Sequence, residues 1–219
     1  MQPNTLRSTA LAVLLLPLTL FAGADNMVVS DLQHDWARVN YEMRGDAQLQ
    51  AFEQLVARAD AAVINHPQSA EVLIWDGIIK SSYAGAKGGL GALSLVKDAR
   101  DCFETAMKID DTALNGSAYT SLGSLYYQVP GWPVGFGNDK KAVQLLQKAL
   151  EINPDGIDSN YFYADYLLSK KQYEEAERYL LKAQNAAPRP GRAVADAGRQ
   201  QEILAALSLA REKLHRSDS

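Results

Sequence analysis

Cysteine is all but missing from this chain, where Cys102 stands alone. No internal disulfide can form, so stability has to come from packing. Cys102 lies three residues after Ala99 and one before Phe103 on an apolar helical face, where a buried, inert thiol is expected. Histidine is nearly as scarce: His34, His66 and His215 share no short ligand spacing, and no metal site is expected. Runs of lysine or arginine are absent, and 22 basic residues stand against 26 acidic ones, a net charge of −4. Such a surface has nothing to track a phosphate backbone, so nucleic acid is not an expected partner. "GGLGALS" has the glycines of a phosphate loop, but no strand precedes it and no Gly-Lys-Ser/Thr follows, so no cofactor is expected. Asp165, Glu174 and Glu175 have no matched acid or base, and no nucleophile, base and orienting group assemble. An enzyme is therefore not expected.

Long apolar runs are limited to Ala10 to Phe21, close to the N-terminus. Arg7 precedes that run, Pro17 interrupts it, and Ala22-Gly23-Ala24 supplies the small-x-small pattern of a signal-peptidase site. The run is short of the roughly 20 residues a membrane span needs. Residues 1–24 are expected to be a cleavable signal peptide, and residues 25–219 one domain exported to the bacterial periplasm. No cysteine follows the run, so a lipid anchor is not expected.

What is present is a period. "AVQLLQKALEINP" (142–154) aligns with "AERYLLKAQNAAP" (176–188) at a constant offset of 34, matching Ala142 to Ala176, Leu146 to Leu180, Ala149 to Ala183 and Pro154 to Pro188. Ala99, Phe103 and Ala106 occupy the same places in an earlier copy, and Leu55, Ala59 and Ala62 in a fainter one. Before each block comes a segment with a small residue in register: Gly77, Gly123 and Ala164. Small contact points let two helices approach to about 8–10 Å. Alanines 99, 142 and 176 are expected to face those small residues, with Phe103, Leu146 and Leu180 filling the space between units. Pro154 and Pro188 stop the second helices, because proline lacks the amide hydrogen and clashes with the preceding turn.

These residues resemble the tetratricopeptide repeat family, whose unit is a helix, a turn and a second, antiparallel helix. The expected fold is all-α, an antiparallel helix-pair solenoid of about three to four units closed by a capping helix near 193–215. The patterning places helices near 31–43, 46–65, 69–84, 93–109, 114–128, 139–152, 157–170, 172–187 and 193–215.

Two units depart from the standard spacing. Ala164 to Ala176 is 12 residues, but Gly123 to Ala142 is 19 and Gly77 to Ala99 is 22. The extra residues fall at equivalent turns, in "YAGAKGGLGALS" and "QVPGWPVGFGN". Stacked repeats set equivalent turns side by side. Tyr83 and Leu90 from one insertion, with Trp132, Val134 and Phe136 from the other, are expected to form a composite surface. Trp132 and Phe136 folding back as a plug over helix ends is the alternative.

The stretch "LGSLYYQVPGWPVGFG" followed by "ALEINPDGIDSNYFYADYL" also resembles an exported tetratricopeptide subfamily that includes the T component of tripartite (TRAP-type) periplasmic solute transporters. The resemblance implies helical pairs curled around a ligand-accessible channel, and a periplasmic solute-binding protein as partner. The first helices should expose Glu71, Ile74, Ile78, Thr120, Ser124, Tyr127, Tyr161 and Asp165 on the concave face, a composition suited to a peptide or a small hydrophobic ligand. Packing of Tyr127 and Tyr161 against neighbouring helices is the alternative there. Exposed solenoid edges also suit self-association.

Overall fold

Ala99, Phe103 and Ala106 fall on one helical face at intervals of four and three, as do Ala142, Leu146 and Ala149, and Ala176, Leu180 and Ala183. A computed structural model describes residues 19–89 and 91–217, and all nine of these side chains are fully buried. Among the described residues the chain forms nine helices and no strand: α1 (Thr19–Glu42), α2 (Gly45–Asn65), α3 (Ala70–Lys87), α4 (Ala92–Ile109), α5 (Ala113–Gln128), α6 (Asp139–Ile152), α7 (Ile157–Ser169), α8 (Tyr173–Gln184) and α9 (Ala193–Ser217). Their starts are chemical. Asn138 accepts from the Lys141 amide at 3.0 Å and caps α6, while Ser69 accepts from the Val72 amide at 3.4 Å and caps α3.

The helix pairs α3/α4, α5/α6 and α7/α8 stack into a solenoid. In the first two pairs the glycine of the first helix lies directly against the large residue of the second. A Cβ on Gly77 would stand 2.6 Å from Phe103 Cε1, and one on Gly123 would stand 2.8 Å from Leu146 Cγ. A groove left by a missing side chain accepts a knob, and two small residues facing each other would leave a void.

The stack also bends round on itself. The first helices touch in order, α1 with α3, α3 with α5, α5 with α7 and α7 with α9, and α9 then touches α1. The final helix was expected as a cap, and it does pack on α8, but it also closes an inner ring of five helices. Gly198 makes closure possible, since a Cβ there would stand 2.2 Å from Tyr41 Cδ1.

Three other boundaries differ from the sequence reading. The first helix was expected near 31–43, yet α1 begins at Thr19, and Val29 and Leu32 share its buried face. Most of the expected signal peptide, residues 1–18, lies outside the described residues. Much of the first insertion is helix rather than loop, since α3 continues to Lys87 and α4 begins at Ala92, leaving residues 88–91 as the connection. No helix among the described residues is long and apolar enough to cross a membrane.

Replacing Gly123 with valine should lower stability by about 2–3 kcal/mol, the usual penalty of overpacking. Adding Leu146→Ala should recover part of that loss, because it vacates the space the new methyls need. Urea unfolding of the two single variants and the double variant measures both effects; strict additivity would contradict the contact.

Candidate functional site

The ring of α1, α3, α5, α7 and α9 encloses a chamber of about 810 Å³, to which every one of those helices contributes. Its wall is mixed in character. Trp36 from α1, Trp75 and Ile78 from α3, Leu125 from α5 and Phe162 from α7 supply apolar surface. Serines from α3, α5 and α7 face in as well, and the hydroxyl protons of four of them are already committed. Ser81 donates to the Gly77 carbonyl at 2.7 Å, Ser82 to Ile78 at 2.8 Å, Ser117 to Leu114 at 2.7 Å and Ser159 to Asn153 at 2.6 Å. Ser82 also accepts from Trp36 Nε1 at 2.8 Å, which fixes the indole edge-on to Trp75, with centroids 5.5 Å apart.

At the start of α5 the backbone turns left-handed for three residues, with φ of 49° at Leu114, 56° at Asn115 and 75° at Gly116. Such a conformation carries about 1–2 kcal/mol per residue for side chains other than glycine. The turn sets Leu114 and Asn115 into the chamber wall, while Gly116 passes Ile152 with no room for more than a Cβ.

One end of the chamber is ionic. Asp158, at the start of α7, accepts from Arg199 Nε at 2.8 Å and from Arg189. Arg189 also reaches Asp196 at 2.7 Å, and Arg199 reaches Glu202. Arg199 covers the faces of Tyr161 and Phe162, its guanidinium carbon 4.4 and 4.6 Å from their centroids. Burial alone would raise the Asp158 pKa, but the charges of Arg199 and Arg189 outweigh it and hold the carboxyl at about 2. Burial lifts the Tyr161 hydroxyl to about 12, although Arg199 opposes it.

The loop between α5 and α6, residues 129–138, forms the opposite lip. It is braced by its own backbone: Asn138 donates to the Tyr126 carbonyl at 2.7 Å, Gly137 to Pro130 at 3.0 Å and Gly135 to Gly131 at 3.1 Å. A Cβ on Gly137 would stand 2.0 Å from the Val129 oxygen, and one on Gly135 2.4 Å from the Pro130 oxygen. Those glycines allow close approach of backbone to backbone.

The residues named from sequence divide into three groups. In the loop, Phe136 packs edge-on against Tyr126 with centroids 5.5 Å apart and lies under Arg100, so it acts as a plug. Val134 lines the chamber, and Trp132 is 90% exposed at the loop tip. Between α5 and α7, the Tyr127 hydroxyl donates to Asp165 at 2.5 Å and its ring meets Tyr166 edge-on. Tyr127, Tyr161 and Asp165 are absent from the chamber lining, and so are Glu71 and the fully buried Ile74. Ile78, Thr120 and Ser124 line the chamber as the concave-face reading expected; that reading is corrected for Tyr127, Asp165 and Tyr161, which pack between helices, for Ile74, which is fully buried, and for Glu71, which accepts from the Ser69 hydroxyl. Tyr83 does not reach a loop surface: it is buried and stacks on Phe52, 6.0 Å away. Leu90 lies outside the described residues. Gly89 from the first insertion and Val134 from the second both line the chamber.

Sequence reading missed the arginines. "PRPGRAVADAGRQ" carries Arg189, Arg192 and Arg199 within 11 residues, a density that marked the site but was read only as the entry to a cap. Cys102, expected as an inert thiol, is half-buried and donates to Asp76 at 3.1 Å, and burial first, then that carboxylate, push its pKa up.

Replacing Asp158 with asparagine should destabilise the protein by about 2 kcal/mol at neutral pH, less than the 3–5 kcal/mol of a fully buried pair because the side chain is 34% exposed. The folded pKa lies below the ordinary value of 3.8, so the carboxylate's contribution is present above that value and fades as pH falls toward 2. Denaturant titrations at several pH values should therefore show the wild-type and variant curves converging in acid.

Residues 137–200 match the family model described as tetratricopeptide repeat, a span from the end of the loop through α6, α7 and α8 into α9. No curated protein matches the chain. Among solved structures, the MamA protein aligns over 90% of this chain and 95% of its own at 17% identity, with a TM-score of 0.44. By helix geometry the chain is a helix-pair solenoid of the tetratricopeptide kind, and within 137–200 the repeat is matched in sequence as well.

Proposed function

We propose that the protein is an exported tetratricopeptide-type scaffold that holds a small, largely apolar ligand inside its helical ring and offers the Trp132 loop tip to a partner protein. The chamber carries this reading. Its volume of about 810 Å³ falls within the roughly 300–1,000 Å³ of small-molecule sites, and two tryptophans and a phenylalanine line it.

The partner surface rests on a separate observation. Trp132 is a large aromatic side chain left 90% exposed on a loop with a braced backbone, and rigid exposed tryptophans are favoured anchors in protein interfaces. Tetratricopeptide repeats serve as interaction scaffolds, which suits a rim contact as well as a concave one. The apolar run and Ala22-Gly23-Ala24 support export to the periplasm. The resemblance of the Gln128 to Asn138 loop and its adjoining repeats supports a TRAP-type transport component, such as a solute-binding protein, as the partner.

N-phenyl-1-naphthylamine, an uncharged probe whose fluorescence rises in apolar sites, tests the chamber. Wild-type protein should bind about one equivalent, and Ser121→Trp, which fills the chamber from α5, should weaken binding at least tenfold while keeping its helical circular dichroism. Equal binding by both proteins would place the probe elsewhere and remove the reading. Trp132→Ala should leave probe binding intact and reduce recovery of the partner from periplasmic extract; full recovery would remove the rim from the proposal.

A further inference from the structure

Arg192 stands apart from the other two arginines at the ionic end. Arg189 meets Asp158 and Asp196, and Arg199 meets Asp158 and Glu202. Arg192 makes no side-chain hydrogen bond or ion pair among the described residues, and its Nε is buried without an acceptor. Its guanidinium lies over the Trp75 ring, 4.9 Å from the centroid, and both residues line the chamber. Trp75 Nε1 is likewise buried without an acceptor. Two unsatisfied donors therefore belong to one touching pair in the chamber wall. A buried donor without an acceptor carries a penalty of about 1–3 kcal/mol, and more when charged.

The surrounding chemistry leaves the shortfall on one side. Asp155 and Asp158 line the chamber with the three arginines, and Asp196 and Glu202 pair with Arg189 and Arg199, which leaves Arg192 as the arginine of the three without an ion pair among the described residues. Four lining serines have donated their protons to backbone carbonyls, which leaves them as acceptors toward the interior. Burial, and then the neighbouring Arg189 charge, lower the Arg192 pKa to about 10 against the opposing pull of Asp158 and Asp196, so it remains cationic at neutral pH with its Nε unpartnered. A planar guanidinium with free terminal nitrogens matches a carboxylate in geometry.

We propose that Arg192 anchors the carboxylate of the chamber's ligand, and that this ligand is a monocarboxylate with an apolar body. The inference rests on the chamber reading above and names the ligand class for it. A carboxylate brings one negative charge and two coplanar acceptors to the unpartnered guanidinium, whereas a dianionic phosphate monoester would bring a second charge toward Asp155 and Asp158. The indole of Trp75 and the ring of Phe162 then offer surface to the ligand's body. Arg189 and Arg199 hold the turn and α7 in place through Asp158 and need not touch the ligand.

The test is displacement of N-phenyl-1-naphthylamine by decanoate, 1-decanol and decyl phosphate at neutral pH, with wild type, Arg192→Gln and Arg192→Lys. In wild type, decanoate should displace the probe at least tenfold more effectively than decanol and more effectively than decyl phosphate. Arg192→Gln should erase the preference for decanoate over decanol without weakening decanol, and Arg192→Lys should retain part of it. Because Arg192 has no ion pair to lose, the melting temperature of Arg192→Gln should not fall. A fall would assign the residue to the structure and overturn the proposal. Equal displacement by decanoate and decanol in wild type would overturn the carboxylate anchor while leaving the chamber intact, and a stronger effect of decyl phosphate would replace carboxylate by phosphate. Failure of the probe itself to bind the wild-type chamber would overturn both readings.

Discussion

Gly198 lies against the ring of Tyr41, and that single close approach turns a solenoid into an enclosure. A stack of helix pairs leaves its concave side open unless something spans from the last unit to the first. Here α9 does so, and only a residue without a side chain allows Tyr41 to come near enough. Tyr41 then packs edge-on against Trp36 at 5.6 Å, so the closing contact continues into the chamber wall. Arg199, the next residue after Gly198, is carried to the inner side of the same helical turn and reaches Asp158 on α7. Closure and the ionic end of the chamber are consequences of one short segment.

The charges at that seam fix its register. Apolar contacts between α9 and the rest of the ring would tolerate sliding by a turn, since alanine and leucine recur along α9. Asp158 accepting from two arginines tolerates none, because misplacing either leaves a charge without its partner in a partly buried setting. The backbone amide of Arg189 also donates to Asp196 at 2.8 Å, which ties the turn before α9 to the first turn of that helix. Arg192, held between these two tied points, has no ion pair of its own among the described residues. The ionic network positions the turn, and the turn positions the unpaired cation over Trp75.

Most of the fold was legible because it is local and periodic. The 34-residue offset picked out Ala142, Leu146 and Ala149 with Ala176, Leu180 and Ala183, and all six are fully buried. The start of α6, expected near 139, is fixed by Asn138 capping the helix. Ring closure was not legible, since contact between Tyr41 and Gly198 joins positions 157 residues apart that share no motif. The same distance hid the site. A period identifies which residues face inward within one unit, and it was right for Ile78, Thr120 and Ser124. It cannot place Arg192 against Trp75, because the position of α9 relative to α3 depends on the whole ring. Tyr127 and Asp165 were grouped correctly but for another reason: they bond to each other between α5 and α7 and are used in packing.

The loop after α5 shows how one insertion can be both plug and wall. Phe136 is fixed between Tyr126 and Arg100, and the hydrogen bonds of Gly135 and Gly137 fold the loop back on its own start. Those bonds require glycine at both positions, because a Cβ at either would overlap a carbonyl oxygen of Val129 or Pro130. A loop so braced has little freedom to move in parts. Val134, which faces the chamber, and Trp132, which faces solvent, therefore sit on one stiff support two residues apart. An occupant pressing on Val134 bears on the backbone that presents Trp132. Stiffness, more than the aromatic content of the loop, is what joins the inside of the ring to its outer rim.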